Sequence, residues 1–219
     1  DQTVLTEEDY FDHPDMYYLE LDKGEADPRV GPDVARDAGG PDEFGYTWID
    51  SDEPGGPVFD WEDVSGIGTP VYLSVDDYKQ VALPFNFSFY DIEQSEIKIS
   101  SNGYLSFGPN ATTYNNQPIP TADGIENIIC PFWDDLNPNY GGMIYYYSDS
   151  DKFIVQYDGI YHYGSGGPYT FQVILNENGS IIFQYLNMSP PLNSATIGIE
   201  NSDGSDGLQV AFNADYIHD

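Results

Sequence analysis

Apolar and polar residues alternate with a period of two along most of the chain from residue 44 onward. Phe85, Phe87 and Phe89 are separated by polar residues, which is the pattern of a strand with one face in a core. The pairs Asn102-Gly103 and Asn178-Gly179 are typical of two-residue β-hairpin turns. No long stretch shows the 3.6-residue period of an amphipathic helix. The pattern predicts an all-β fold, an antiparallel β-sandwich of jelly-roll-like type.

The first 43 residues differ from the rest and predict an extended acidic N-terminal arm, which leaves residues 44–219 for the sandwich. They contain 14 acidic and 3 basic residues and four prolines. One short run places Tyr17, Leu19 and Leu21 on one face at a period of two, which predicts an isolated strand. We expect the arm either to reach a second copy of the chain or to fold back on its own domain.

Several strand positions in the phase that points away from the predicted core are apolar. They are Tyr146, Ile154, Ile174, Ile182 and Leu186. Water does not favour a continuous apolar sheet face. We therefore expect some of these side chains to be covered by loops, by the arm or by another subunit.

The charge restricts the partners. Lys and Arg total 6 and Asp and Glu total 38, so the formal net charge is −32 at pH 7. Nucleic acids and anionic membranes are bound mainly through Lys and Arg, so neither is an expected partner. No run approaches the roughly 18 apolar residues of a membrane span, so membrane insertion is not expected. The acidic surface calls for salt, calcium or a cationic partner, whereas adaptation to a saline habitat explains the charge without a binding site.

The sequence does not favour an enzyme. It has no Gly-x-Ser-x-Gly motif, and His13, His162 and His218 lack the spacing of zinc ligands. His162 lies between two tyrosines and is interpreted as a sheet residue with a hydrogen-bonded ring. Cys130 lies in an apolar run, which predicts a buried thiol rather than a reactive thiolate.

Calcium is the metal that the sequence favours. A loop near the C-terminus alternates oxygen-bearing side chains with glycines, and Asn201, Asp203 and Asp206 are its candidate ligands. A polar β-turn without a metal explains the same residues. Asp134 and Asp135 follow a predicted strand and are a second candidate pair, expected to hold loop amides or an ion.

Four Asn-x-Ser/Thr sequons predict N-glycosylation at Asn86, Asn110, Asn178 and Asn187, provided that the producing cell has the machinery. Asn86 falls in the outward phase of its strand and Asn178 in a turn. Both positions are expected to be accessible.

Several motifs in order resemble the nidogen-type extracellular domain. Residues 101–107 follow its S-N-G-[YF]-[LI]-x-F hairpin, and residues 129–135 follow its I-A-P-F-W-x-D strand with Cys130 in place of Ala. A Gly-Gly and an Ile-Tyr-Tyr run follow within residues 141–146. Similar β-domains of secreted bacterial peptidases and adhesins share residues 45–57. The resemblance implies an extracellular, non-catalytic domain with a matrix, adhesion or accessory role.

Two functions follow as expectations. The first is an extracellular structural subunit, secreted or at the cell surface, whose arm joins copies of the chain into a filament or surface layer. The sequence ends directly after the last predicted strand, without a peptidase or an anchor, so the arm is expected to carry the function. About 20 extended residues reach roughly 60 Å. The alternative is a secreted adhesin or a module that binds glycan or protein, with tyrosines as stacking platforms.

Overall fold

The computed structural model describes residues 18–31 and 37–217. Over these residues the fold is all-β, with a 3₁₀ turn at Pro138–Tyr140 and no α-helix, so the predicted fold class is confirmed. No helix in this part of the chain is long and apolar enough to cross a membrane. The strands are β1 (Ala38–Gly39), β2 (Trp48–Ile49), β3 (Thr69–Val71), β4 (Tyr78–Phe89), β5 (Ile92–Ser100), β6 (Leu105–Ser106), β7 (Ile128–Trp133), β8 (Leu136–Asn137), β9 (Met143–Ser148), β10 (Lys152–His162), β11 (Tyr169–Asn176), β12 (Ile181–Met188), β13 (Thr196–Glu200) and β14 (Gly207–Phe212).

Two antiparallel sheets form the sandwich. One has the order β12-β11-β10-β9-β3, with β8 paired to β10, and the other has the order β14-β13-β7-β6-β5-β4. Most neighbours in the sheets are also neighbours in sequence, and β13 then returns to pair with β7. β3 likewise pairs with β9, which is distant in sequence, so the connectivity consists of meanders joined by two long-range pairings.

The first predicted Asn-Gly turn joins β5 to β6. Lys98 pairs with Ser106 and Ile99 with Leu105 across this hairpin. Gly103 has a φ of +77°, and a Cβ added there would lie 1.9 Å from the carbonyl oxygen of Phe132. Only glycine satisfies both conditions, because it has no side chain and tolerates positive φ. The hairpin is thereby seated against the end of β7.

Apolar side chains from both sheets fill the space between them. Phe87 and Phe89 of β4 are fully buried there, as their alternation predicts. Tyr157 and Phe171 stack from neighbouring strands with ring centroids 4.5 Å apart. The prediction that Tyr146 of β9 points away from the core is wrong. Tyr146 lies directly opposite Val155 and packs with it against the main core. Directly opposed residues of paired strands share a face of the sheet.

Strand β7 is buried on both faces. Ile129 and Phe132 enter the main core, while Cys130 and Trp133 face a second apolar cluster beneath the loop that leads from β6 to β7. Cys130 is fully buried and burial raises its thiol pKa well above the usual value, so its predicted burial is confirmed. The Trp133 indole donates a hydrogen bond to the carbonyl of Thr113 at 3.1 Å. This loop, residues 107–127, is therefore fixed over the sheet, and we call it the platform loop.

Residues 60–68, the cover segment, lie over the outer face of the other sheet. Three glutamines, opposite one another on β10, β11 and β12, are hydrogen-bonded in a row: Gln172 to Gln156 at 2.9 Å, and Gln184 to Gln172 at 3.4 Å. The same row binds the cover segment, since Gln156 accepts from the amide of Val64 at 2.9 Å. Neutral amide groups thus hold this segment in place.

The cover segment explains most of the apolar residues in outward phase. Val64 packs with buried Ile154 and Ile174 and with half-buried Ile182. Of the three expected covers, namely loops, the arm or another subunit, it is a loop that covers these side chains. Leu186 stays 51% exposed beyond the end of the segment.

Residues 18–31, the arm segment, have no regular secondary structure, so the predicted strand is not formed over its described residues. Tyr17 lies outside the described residues. Leu19 and Leu21 are half-buried while Tyr18 and Glu20 are exposed, so the alternation is present without a ladder. The backbone of these residues is bound by side chains instead of by a neighbouring strand.

The short strands β1 and β2 pair across the predicted boundary between residues 43 and 44. Gly39 lies opposite Trp48 there, so the two sides of the boundary are hydrogen-bonded to each other. The division into an arm of residues 1–43 and a sandwich of residues 44–219 stays a prediction.

Candidate functional site: a lysine socket beneath the arm

Lys23 of the arm segment occupies a site built by the sandwich, which we call the socket: Asp76, Tyr114, Asp135 and Tyr163. The Lys23 ammonium lies 2.8 Å from the Asp76 carboxylate and 2.6 Å from that of Asp135. It is also 4.3 Å from the ring centres of both Tyr114 and Tyr163. Two carboxylates and two aromatic faces are the surroundings that a primary ammonium prefers.

The residues of the S-N-G motif orient one side of the socket. Asn102 is fully buried, and its side-chain amide donates to Asp76 at 3.1 Å and to the Thr112 carbonyl at 3.3 Å. Its side-chain oxygen accepts from the Leu136 amide at 3.1 Å. One side chain therefore ties the β3–β4 connection, the platform loop and the start of β8 together. Sequence analysis identified Asn102 as a turn residue only.

The predicted carboxylate pair at the end of β7 forms the other side. Asp134 is 4% exposed and accepts from the Ser194 hydroxyl at 2.7 Å and from the Asp135 amide at 2.8 Å. Asp135 binds Lys23. In this structure Asp134 holds an amide and Asp135 an ammonium group, and metal binding by the pair stays a prediction.

Burial, the largest influence, raises the pKa of Asp135, and the neighbouring charge of Asp76 adds to this against the opposing effect of Lys23. Burial alone would lower the pKa of Lys23, but its hydrogen bonds to Asp135 and Asp76 raise it above the usual value. The ammonium therefore stays charged and is shared between two carboxylates.

His162, at the end of β10, lies behind this pair. Its Nε2 is 3.3 Å from Asp134, and its Nδ1 is 2.6 Å from the Tyr163 carbonyl. Burial would lower the pKa of His162, but the hydrogen bond and charge of Asp134 raise it above 6.5. A hydrolytic triad has the imidazole between the hydroxyl and the carboxylate. Here the carboxylate of Asp134 lies between Ser194 and His162, so the three groups do not have the order of a hydrolytic triad.

Arg29 is a second cationic anchor of the arm segment. It pairs with Asp27 at 2.6 Å and donates to the Gln117 side chain at 2.6 Å and to the Asn116 carbonyl at 2.9 Å. Its guanidinium lies 5.0 Å from the ring centre of Phe212. Burial would raise the pKa of Asp27, but the bonds from Arg29 lower it. This ion pair is fixed to both the platform loop and β14.

The backbone between Tyr18 and Lys23 is held by the platform loop. The amide of Leu19 donates to Gln117, and its carbonyl accepts from Gln117 and Asn115. The carbonyl of Leu21 accepts from the Tyr114 hydroxyl at 3.0 Å. Leu19 and Leu21, predicted to mediate assembly, thus lie on the sandwich of their own chain.

The predicted calcium loop joins β13 to β14, at the opposite end of the β7–β13 pair from Asp134. Asp203 accepts from the amide and hydroxyl of Ser205, and the Asn201 side chain accepts from the Ser205 amide. Asp206 accepts from the amides of Glu43 and Phe44. In residues 18–31 and 37–217, no three acidic, His or Cys side chains are grouped as a metal site requires. Calcium binding stays a prediction.

Glu200 at the end of β13 is a further buried carboxyl close to this loop. It is 2% exposed and accepts from the Thr121 amide at 2.5 Å. Burial raises its pKa to about 9, so it is protonated at neutral pH. A neutral acid is a poor donor for a hard cation.

The four glycosylation candidates differ in access. Asn86, Asn178 and Asn187 are exposed. Asn110 is half-buried, and its side-chain oxygen accepts from the Ala111 amide and the Thr112 hydroxyl. Glycosylation stays a prediction at all four.

Sequence reasoning missed Lys23, Asp76, Tyr114 and Tyr163, since no local motif joins them. The available signal was the scarcity of cations: with only 6 Lys and Arg against 38 acids, each cation is surrounded by possible partners. Half of those cations, Lys23, Arg29 and Arg36, lie within the first 43 residues.

Comparison with known proteins bears on the sandwich rather than on the arm. The family model described as NIDO related matches residues 59–216. Alpha-tectorin from Mus musculus and from Homo sapiens are each 24% identical to the chain over 143 residues, covering 52% of this chain and 7% of the relative. The chain thus spans a small part of these relatives. No solved structure matches it.

The family match extends over most of the chain and confirms the resemblance to nidogen-type domains. It includes the four socket residues, Asp76, Tyr114, Asp135 and Tyr163, and begins after Lys23 and Arg29. The arm segment therefore lies N-terminal to the matched region. The chain belongs to the NIDO-related family.

Proposed function

We propose that this chain is a non-enzymatic, extracellular structural domain that assembles with copies of itself into a filament or surface layer through its N-terminal arm. Family membership supports the coarse part of the proposal, a domain of extracellular-matrix type. The geometry around Asp134 and Asp135 supports a structural role, because Asp134 binds His162 and Ser194 while Asp135 binds Lys23 of the arm. The finer part concerns the arm.

The observation that carries the finer part is the docking of the arm segment by discrete side-chain contacts. The partners of Lys23 are 53 and 112 positions away in sequence, and the partner of Leu19 is 98 positions away. No strand ladder ties residues 18–31 to the sandwich. A segment bound in this way can bind the same surface of a neighbouring copy, with main-chain and anchor contacts giving affinity and specificity.

Charge sets the conditions for assembly. Copies with a formal charge of −32 repel one another, and salt screens this repulsion over a Debye length of about 10 Å at 0.1 M. Divalent cations neutralise acidic surfaces more effectively at equal concentration. We therefore propose that calcium or high salt promotes assembly, whether or not a dedicated calcium site exists.

Deletion of residues 1–31 tests the proposal. Sedimentation and electron microscopy would compare the deleted and full chains at low salt, at high salt and with calcium. We expect polymers from the full chain with salt or calcium and none from the deleted chain. A matched control carries Val30→Ser, a change at an exposed arm position. Polymers of the deleted chain, or a full chain that stays monomeric throughout, would refute assembly by the arm.

A cavity favours the second candidate function, a binding module for glycan. A space of about 440 Å³ between the arm segment and the platform loop is lined by Tyr18, Glu20, Tyr114, Asn115 and Asp123, among others. Aromatic faces stack on sugar rings, and carboxylates accept from sugar hydroxyls. Retention on a glycan array by the full chain, lost on Tyr18→Ala with unchanged assembly, would favour this candidate over the structural one.

A further inference from the structure

We propose that the socket is an exchange site, in which Lys23 of a second copy of this chain takes the place of the resident Lys23 between Asp76 and Asp135. This inference rests on the proposed function, because it names the contact through which the arm joins two copies. It assigns one partner, an identical chain, and one recognition element, the ammonium group of its arm.

The socket is held in shape by the sandwich itself. Fully buried Asn102 fixes Asp76, and the amide of Tyr163 donates to the Asp135 carbonyl at 2.7 Å. The Asp135 amide is in turn bound by Asp134 at 2.8 Å. None of these contacts involves the arm. The binding site therefore persists when the arm segment leaves, and an incoming arm meets it already formed.

An empty socket is costly. Asp76 and Asp135 would face each other without a cation, with Asp134 next in the chain, in a molecule of charge −32. Like charges at close range disfavour the ionised state of both. Departure of the resident Lys23 therefore leaves two neighbouring carboxylates without a cation. Lys23 of a second copy neutralises them again, whereas simple release of the arm does not.

The arm of an identical chain presents the matching cations at the matching spacing. Lys23 and Arg29 are six positions apart, and each has its own site: the socket for Lys23, and Gln117 with the Asn116 carbonyl for Arg29. Lys98 and Lys152 of the sandwich are engaged by the Gly108 carbonyl and by Glu62 respectively, and exposed Lys79 has no second cation six positions away. A segment with both cations at this spacing can fill the two sites together.

The arm segment can also leave without breaking a sheet. Its described residues take part in no strand, and its backbone bonds around Leu19 and Leu21 go to the side chains of Asn115, Gln117 and Tyr114. Every one of these acceptors and donors is available to the same residues of another copy. The exchanged state therefore reproduces the contacts of the resident state one for one.

Isotope-mixed cross-linking tests the exchange on the unmodified full chain. Equal amounts of ¹⁴N- and ¹⁵N-labelled protein are mixed before assembly and treated with a carbodiimide, which couples a carboxylate to an amine in contact. In polymers we expect about half of the Lys23–Asp135 and Lys23–Asp76 cross-linked peptides to contain one light and one heavy partner, as random pairing requires. Unassembled monomers should give unmixed pairs only.

The Lys152–Glu62 pair is the internal control, because the cover segment is bonded to the sheet of its own chain at Gln156 and Gln172. Its cross-link should stay unmixed in every fraction. Polymers whose Lys23 cross-links are all unmixed would overturn the exchange while leaving assembly by the chain intact. Absence of polymers under every condition would overturn both proposals.

A charge-reversal pair gives a second test. Lys23→Glu disables the arm and Asp135→Lys disables the socket, so each variant alone should lose at least tenfold in self-association by sedimentation. Their mixture should regain association, because the intact arm of one enters the intact socket of the other. If Asp135→Lys does not fold, Asp76→Asn/Asp135→Asn replaces it. Mixtures that associate no better than the separate variants would contradict exchange.

Discussion

The cover segment and the arm segment both lie over the sandwich, yet the contacts that hold them differ in kind. The cover segment is bound mainly by a row of buried, neutral glutamine side chains and by the packing of Val64, with one partly exposed ion pair, Lys152–Glu62, beside them. The arm segment is bound by Lys23 and Arg29 at positions that water reaches in part. Both segments contact residues that are distant in sequence, so sequence separation does not distinguish the two segments.

This contrast separates a permanent part of the fold from a part that can detach. Neutral hydrogen bonds in a buried row respond little to salt or pH, whereas partly exposed ion pairs weaken as ionic strength rises. One cover is therefore a fixed part of the fold. The other is an attachment whose strength depends on the solution.

The largest expected effect comes from breaking the platform on which the arm segment rests. Trp133→Ala removes a buried ring and its hydrogen bond to Thr113, and should cost about 3–5 kcal/mol of unfolding free energy. Urea unfolding measures the loss. Trp61→Ala is the matched control, since its ring is half-buried in the cover region and stacks on exposed Phe59. A loss below about 1 kcal/mol for Trp133→Ala would mean that packing of the platform loop contributes little to the stability of the fold.

The next effect concerns the glutamine row. Gln172→Leu leaves the Glu62 carbonyl without its Gln172 donor and removes one of the two donors to the Gln156 side-chain oxygen, and should cost about 2–3 kcal/mol at any salt concentration. Urea unfolding at low and high salt tests both the size and the salt independence. Gln80→Leu at an exposed position of β4 is the control. A strong salt dependence of the Gln172 effect would remove the contrast between the two covers.

A smaller effect is expected at the charged anchor. Lys23→Met removes two partly exposed ion pairs and two ring contacts, and should weaken docking of the arm segment by about 1–2 kcal/mol at low salt, and by less at high salt. Faster amide exchange at Leu19, bonded to Gln117, reports the loss. Lys79→Met on exposed β4 controls for net charge. Unchanged exchange would show that the backbone contacts alone hold the segment.

The smallest effect is the pH response of His162. Its folded-state pKa lies above 6.5, so its contribution to stability is complete below 6.5 and is lost as pH rises through the raised value. Charged neighbours Asp134 and Asp135 act in the same direction, favouring the imidazolium. His162→Gln should therefore lower the melting temperature slightly at pH 5.5 and not at pH 9. An equal change at both pH values would assign the effect to packing.

The sequence allowed the sandwich to be predicted and much of the site to be missed, for a physical reason. Hairpins such as Asn102-Gly103 and the alternation of Phe85, Phe87 and Phe89 are local signals, and both are present in the structure. The pairing of Lys23 with Asp135 spans 112 positions, so no local pattern contains it. In a chain with 38 acids, nothing in the sequence distinguishes the two that meet the ammonium group.

The arm illustrates the same limit at closer range. Its alternation correctly placed Leu19 and Leu21 toward a surface, but the surface offered amide and phenol side chains rather than a free strand edge. Similarly, the phase of β9 depended on its register with β10, which alternation within one strand cannot supply. The period of apolar residues along a strand shows which residues share a face. Pairing with the neighbouring strands decides which of the two faces is buried.

That the resident Lys23 and its socket belong to one chain has a consequence for crowded surroundings. The arm segment is held to its own sandwich as far as Gly31, whose amide donates to the Asn213 carbonyl at 3.3 Å. A resident arm therefore binds its own socket as an intramolecular ligand, at an effective concentration of about the millimolar range. A neighbour competes only where chains reach a comparable local density. Under the proposed exchange, dilute copies therefore remain self-occupied, whereas a dense layer crosses a threshold at which exchange between neighbours becomes general.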